Sequence, residues 1–239
     1  MQWDLVDRDG PNTGSLVVKP EYRANYTKVT PLGLGPEVGY AGLLNGLLND
    51  QNWRLTHAHW RQKFADGKAV VNIGWLDVTD YADIFVLGSP WGAGFQNVAF
   101  ETGSGVFGDL PDGSLGVQAG GFLTDNIYAL ALATDANSNA SDPLNGFDTL
   151  FDLGQLWSAV EIGWTDNRKE MFVDNFHLTF YHVDARTTLG GAPLAPEGKG
   201  IAFSFTKKVG KAWLPFLRGG WGEGGGGFLR RLVLRRFWL

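Results

Sequence analysis

The 239 residues suffice for one large domain or two small ones, and no apolar run approaches the ~18 residues of a membrane helix. The lack of cysteine excludes disulfides and thiolate metal sites. A net charge of −5, with both signs spread along the chain, offers no basic stripe to nucleic acid. Glycine (34 residues) and tryptophan (10) are abundant, which suits the turns and interface girdles of a β-barrel. It suits a soluble β-sandwich equally. The first ten residues, MQWDLVDRDG, lack the basic start and apolar centre of a signal peptide. An exported protein of this kind is expected to carry its signal upstream of Met1, with this chain internal to a longer one.

Residues 1–13 read as polar and turn-rich. Gly14–Tyr26 is the first expected strand, with Val17, Lys19, Glu21 and Arg23 on one face and Leu16, Val18, Pro20 and Tyr22 on the other. Pro20 cannot donate to a ladder, so it marks an edge or a bulge. Residues 27–50 form a long connection rich in Gly, Pro and Leu; its Leu43-Leu44 and Leu47-Leu48 pairs suit a short helical turn or an inward loop. A hairpin follows, Trp53–Phe64 and Ala69–Leu76, around Ala65-Asp66-Gly67-Lys68. Asp-Gly between alternating runs is a strong hairpin signal, because Gly supplies positive φ. His57, His59, Arg61 and Lys63 share one face of the first strand, with Ala58, Trp60 and Phe64 on the other. In the second, Val71, Ile73 and Trp75 oppose Asn72 and Gly74. A greasy face, a charged face and acids at the strand end (Asp77, Asp80, Asp83) describe a wall between lipid and a wet channel, and each run is close to the ~9–11 residues of a tilted membrane strand.

Residues 84–105 read as a loop packed against something. Ser114–Thr134 is the cleanest hairpin, turning at Thr124-Asp125-Asn126; Leu130 is expected to face lipid. Residues 135–155 read as a long polar loop. Leu156–Trp164 sets Glu161 against Val160, Ile162 and Trp164, and Met171–Asp184 alternates Phe176, Leu178 and Phe180 with Asn175, His177, Thr179 and Tyr181. Leu178 is expected in lipid and Thr179 in water. After a loop at 185–199, Gly200–Lys208 and Trp213–Trp221 form a last hairpin. About nine strands result, and short connections alternate with long ones, as outer-membrane barrels require. The long loops are expected outside the cell. The tail FLRRLVLRRFWL (228–239) breaks the pattern: four Arg interrupt apolar residues, as a frameshifted end or an amphipathic helix would.

Asp77, Asp80 and Asp83 admit several readings: catalytic carboxylates, a calcium loop, a constriction lining or solvated acids. An EF-hand pattern is absent, and close acids on one strand end do not specify a glycosidase pair. His57 and His59, two apart, could share a metal, but no Cys or acid beside them completes a ligand set. Trp75, Trp164 and Trp221 read as interfacial anchors, and Trp91 as a stacking surface for a sugar ring. Neither a nucleophile triad nor a phosphate or dinucleotide loop is present.

These segments together resemble the carbohydrate-selective porins of Gram-negative outer membranes, the OprB-type family. The resemblance is carried by Gly14-Ser15-Leu16-Val17, Glu21-Tyr22-Arg23, Trp53-Arg54-Leu55-Thr56, Trp60-Arg61-Gln62, Leu76–Tyr81, Ser89-Pro90-Trp91, Leu123–Asn126, Asp135-Ala136-Asn137, Glu161–Trp164, His182-Val183-Asp184 and Trp213–Gly220. It implies an all-β, antiparallel transmembrane barrel of porin type, with 1–239 as one domain incomplete at both ends. It implies passive diffusion of small carbohydrates across the outer membrane, without catalysis, cofactor or metal. Sugars and outer-membrane lipid are the implied partners, and a homo-oligomer is left open. The lining set is Lys19, Glu21, Arg23, His59, Arg61, Lys63, Asp77, Asp80, Trp91 and Arg218. A soluble β-sandwich carbohydrate-binding module and an outer-membrane barrel enzyme are the competing readings.

Overall fold

A computed structural model describes residues 1–39, 49–88, 94–97, 100, 103, 106–107, 110–111, 113–225. The Leu43–Leu48 pattern, Trp91 and the 228–239 tail lie outside them. Ten strands form one antiparallel sheet: β1 (Gln2–Val6), β2 (Gly14–Arg23), β3 (Asn52–Phe64), β4 (Ala69–Leu76), β5 (Ser114–Phe122), β6 (Ile127–Asp135), β7 (Leu156–Thr165), β8 (Asn175–Val183), β11 (Gly198–Thr206) and β12 (Phe216–Gly224). Neighbours in the sheet are neighbours in sequence, save that a small ribbon of β9 (Arg186–Thr187) and β10 (Pro193–Ala195) sits between β8 and β11. Helices are short: α1 (Pro31–Glu37) and α2 (Asn145–Asp148). This is the antiparallel wall of a porin-type transmembrane barrel. A sandwich would divide its strands between two packed sheets; here the ten lie in one, which overturns that reading.

A meander places successive connections at opposite ends. Residues 7–13, 65–68, 123–126, 166–174 and 207–215 therefore turn at one end, and the long segments 24–51, 77–113, 136–155 and 184–197 leave from the other. The 65–68 turn uses the expected chemistry: Ala65, Asp66 and Gly67 all have positive φ.

Alternation fixes two faces. Leu16, Ile73, Val117, Val160, Ile162, Trp164, Phe176, Phe180 and Phe205 stand exposed on the outward face. Between them, inward, lie Asn72, Gln118, Thr134, Trp157, Glu161, His177, Thr179, Tyr181 and Ala202, all buried. They are buried because the β4–β5 connection folds inside the wall. Its Val78, Ala82 and Phe107 join Leu132, Trp157, Tyr181, Val183 and Ala202 in one apolar core. The ring centroids of Phe107 and Tyr181 are 4.7 Å apart, and Trp157 stacks on Tyr181 at 6.1 Å.

Several expectations need correction. Gln2–Val6 is a strand, paired with β2 at the edge of the sheet, rather than part of a turn-rich lead. Leu130 faces inward, opposite Gly120 and Glu161, and packs against the core; the outward residues of β6 are the alanines 129, 131 and 133. Thr179 is buried, not in water, because its hydroxyl donates to Glu161 Oε2 at 2.7 Å under the inward segment. Trp75 is buried at the rim instead of standing free as an anchor, whereas Trp164 and Trp221 remain exposed. The 136–155 connection contains α2 and a wider helical turn through Leu153, and it is not wholly polar.

Leu178 pairs with Ile162 and Phe203 on the outward side. Leu178→Arg is expected to lower folding free energy in a bilayer by about 2–4 kcal/mol if the site is at the midplane. Denaturant titration in lipid vesicles measures this, and an unchanged midpoint would contradict the assignment of the face.

Candidate functional site

The inward faces of β2 to β5 carry polar side chains where β6 to β8 carry the apolar core. Their geometry starts from a bulge. Lys19 pairs with His57 and Pro20 with Leu55, which leaves Thr56 as the extra residue. Pro20 has no N–H to lose, and the Thr56 hydroxyl donates instead to the Lys19 carbonyl at 3.0 Å. The bulge places Thr56 and His57 both under cover. Pro20 therefore marks a bulge, as its missing donor implies.

Around it sits a charge network. Arg23 holds Glu21 Oε2 through Nε and Nη2, at 3.1 and 2.9 Å. Lys19 Nζ lies 3.3 Å from Glu21 and 3.6 Å from Asp80. His57 Nε2 is 2.7 Å from Asp80 Oδ2. Asp77 shapes the turn that brings Asp80 there: its Oδ1 accepts from the Thr79 backbone at 3.0 Å and from the Thr79 hydroxyl at 2.6 Å. Burial pushes the Asp80 carboxyl up, but the His57 hydrogen bond and the Lys19 charge outweigh it, so the group lies below the ordinary carboxylate range. Burial, with the charges of Asp80 and Asp77, raises Tyr81 against the pull of Arg61 and keeps it a neutral phenol.

Next along the wall, Arg61 Nε donates to Asn72 Oδ1 at 3.1 Å, and Asn72 donates on to Gln118. Arg61 is half-buried, and it opens with Lys63, Asp80, Tyr81 and Gln118 onto a cleft of about 350 Å³ between wall and turn. A second cleft of about 450 Å³ is lined by Lys19, His57, His59, Arg61, Asp80 and Tyr81. Arg61, Asp80 and Tyr81 border both. His59 is buried, its Nδ1 3.3 Å from the Trp75 carbonyl and its Nε2 3.5 Å from the Tyr81 hydroxyl. The clefts thus present cationic and amide donors, a carboxylate and phenol acceptors, and aromatic edges within one gap.

Arg218 and Asp83 lie elsewhere. Asp83 is fully buried in the inward segment, and its carboxylate takes Arg218 Nη2 at 2.6 Å, His177 Nε2 at 2.8 Å and the Gly103 N–H at 2.5 Å. Its own N–H donates to Glu161 Oε2 at 2.7 Å. Glu161 also accepts from Tyr128 at 3.1 Å and from Thr179. Asn175 donates to Tyr128 at 3.1 Å and to the Met171 carbonyl at 2.8 Å, which turns its carbonyl oxygen to His177 Nδ1 at 2.6 Å. His177 therefore has an oxygen within hydrogen-bond reach of each ring nitrogen. Asp83 holds φ +50°, a left-handed value uncommon outside glycine. The guanidinium of Arg218 also covers the Phe85 ring at 4.6 Å. This clasp ties the inward segment to β7, β8 and β12.

The three acids thus serve three purposes: Asp77 caps a turn, Asp80 faces the clefts and Asp83 fastens the segment. They do not flank a common gap as a glycosidase pair would. Among the described residues no group of three His, Cys, Asp or Glu side chains is placed to hold a metal ion. Sequence reading missed Asn72, Tyr81, Gln118, Glu161 and His177. The signal for Glu161 was present, a lone acid in an otherwise apolar strand.

A family model described as "Carbohydrate-selective porin, OprB family" matches residues 27–211. Among solved structures, one titled "High pH structure of Pseudomonas putida OprB" is similar to this chain with a TM-score of 0.57 at 18% identity. The match covers 87% of this chain and 53% of the solved one, so the chain spans about half the length of that protein. At such identity the likeness speaks for the fold. No curated protein matches the sequence.

Two outcomes follow from the charge networks. Asp83→Asn keeps a residue type that tolerates the left-handed backbone but removes the charge that Arg218 and His177 share. Breaking a buried pair in this way costs on the order of 3–5 kcal/mol. Unfolding titrations should show that loss together with new protease cleavage within 77–113; unchanged stability and cleavage would contradict the clasp. For Asp80 the folded state binds its proton less readily than the unfolded chain does. Its contribution is therefore present above the unfolded carboxylate pKa of about 3.9 and fades as pH falls through the lower folded value. Because Asp80 is about half exposed, the contribution is small. Asp80→Asn should flatten the acid limb of a stability–pH profile, and an identical limb would contradict the pairing.

Proposed function

The chain belongs to the carbohydrate-selective porin, OprB family, a family of Gram-negative outer membranes, and from that premise we propose that it builds wall and constriction of a passive channel for small carbohydrates. The observation that carries this is the paired cleft bordered by Arg61, Asp80 and Tyr81 between the inward turn and β2 to β5. Sugars offer hydroxyl groups that both donate and accept, and ring faces of C–H bonds. A lining that alternates guanidinium, ammonium, carboxylate, amide and phenol within a few ångströms can exchange a hydroxyl's water for protein partners step by step. A solute without hydroxyls gains nothing there. No bond is made or broken and no energy source is needed: selectivity lies in gap width and lining groups.

Within this reading Arg61 is the principal contact. Its fork of donors can hold two adjacent hydroxyls; its Nε donates to Asn72, and the guanidinium also reaches the Tyr81 hydroxyl. Lys63 and Lys19 supply mobile donors beside it, and Asp80 the opposing acceptor. Arg23 and Glu21 hold each other and set the field behind Lys19. His59 backs Tyr81. Arg218 acts at a distance, as the residue that holds Asp83 and hence the turn carrying Asp80 and Tyr81.

Arg61→Ala in membrane-inserted protein should raise several-fold the sugar concentration that half-blocks ion current, and should shift ion selectivity towards cations. Stability should change little, since the side chain borders water. Planar-bilayer recording measures both. Unaltered block and selectivity would remove Arg61 from the constriction, and a full-length protein that never conducts would remove the channel reading.

A further inference from the structure

The outward face carries one feature that a plain wall does not need. Trp75 and Asp135 stand at outward positions: Trp75 follows Ile73 by two residues and pairs with Leu115, and Asp135 pairs with outward Leu156. Both are nonetheless buried, at 3% and 0% exposure. The 136–153 segment covers them. A Cβ at Gly146 would come within 2.6 Å of the Trp75 ring, so helix and indole are in contact. Thr149 Oγ1 and Ser138 Oγ donate to Asp135 Oδ2 at 2.5 and 2.6 Å. The Ala140 carbonyl accepts from the Leu55 N–H at 2.8 Å. The segment therefore folds back over the outer side of the rim, whereas the 77–113 connection enters the lumen.

Gly146 and Thr149 form the wall side of this helix. Leu144, Phe147 and Phe151, three and four residues apart, share the side turned away from it, at 77%, 50% and 76% exposure. Asp148 and Asp152 are exposed beside them. We infer that Leu144–Leu153 is an interfacial element that inserts Leu144, Phe147 and Phe151 into the lipid at the membrane boundary. The helix covers the outward rim position Trp75, paired with Leu115, and the next outward position below it on β5 is exposed Val117, with Val160 and Ile162 exposed farther down the same face. The stripe is also too small for a stable protein partner: even at the upper end for buried aromatics, three side chains offer no more than about 750 Å², below the ~800 Å² a side of a lasting interface. A short amphipathic helix lying in the plane of the interface needs no such minimum. The inference rests on the reading of the outward strand face as lipid-facing, so its test includes that face.

The sequence holds no cysteine, so single nitroxide labels can be placed without background. Phe147→Cys and Phe151→Cys, with Leu144→Cys as an independent position, would be labelled in the full chain in phospholipid vesicles. Val160→Cys reports the strand belt and Leu189→Cys the aqueous loop. Collision with oxygen is expected to exceed collision with a water-soluble nickel chelate several-fold at 144, 147 and 151, as at 160 and opposite to 189. Chelate contact at 147 and 151 equal to that at 189, with 160 still in lipid, would overturn the helix insertion and leave the belt standing. Chelate contact at 160 as well would overturn both. Low contact with either reagent, with spin–spin broadening between copies, would replace lipid by a second copy of the chain.

Discussion

The carboxylate of Asp83 is the interaction on which the rest of the structure depends. A wall of alternating strands has an inside only in the sense that one face looks away from lipid. Here Asp83 anchors the segment that fills part of that space. It accepts from Arg218 on β12 and from His177 on β8, and its backbone donates to Glu161 on β7. Those contacts pull the β4–β5 connection across the inner face of strands far along the sheet. One side of the interior is then filled by the Phe107–Trp157–Tyr181 core, and the other keeps the open clefts around Arg61. The Asp83 and Glu161 carboxylates each accept from several donors, which matters because an unpartnered charge in such a place is costly.

Two kinds of interior thus coexist on one face of one sheet. From β6 to β8 the inward residues are large or networked and meet the inward segment. From β2 to β5 they are polar, several of them buried, and Lys19, Arg61 and Lys63 border the open clefts. The bulge at Lys19 and Pro20 belongs to the second region. It sets Thr56 and His57 side by side under cover and brings Lys19, His57 and Asp80 into one chain of charges. The same sheet treats its outer side differently again, apolar along the strands and capped at one rim by α2. Three of the four long connections therefore do different work: 77–113 folds inside the wall, 136–155 covers the outer rim, and 184–197 forms the β9–β10 ribbon.

Much of this was legible in the sequence, and the limits are physical. A two-residue period is a local property, so β2, β3, β7 and β8 and the faces of Glu21, Arg61, Glu161 and Phe180 could be read directly. Pro20 announced its bulge by lacking a donor. In β6 both faces are apolar, Ala on one and Leu on the other, and alternation does not say which meets lipid; Leu130 and Leu132 are inside only because a distant connection covers them. Thr179 deceived for the same reason, as a polar residue whose partner is protein and not water. Gln2–Val6 is short and flanked by polar residues, and it is a strand because β2 offers it an edge. Asp83 could be seen as an acid among acids, but its partners His177 and Arg218 are 94 and 135 residues away. Trp75 carried the girdle signal, yet Gly146 lies against it, and no local pattern encodes that approach.

Amide hydrogen exchange at Asp83 and Gly103 in the membrane-embedded protein tests the central claim most directly. These two N–H groups donate to the Glu161 and Asp83 carboxylates inside the wall. If the inward segment is seated there, both amides exchange as slowly as those of the central strand β7. Exchange as fast as at the exposed turn glycines 191 and 210 would show that the segment is not held inside the wall. The clefts around Arg61 would then lose the turn that shapes them.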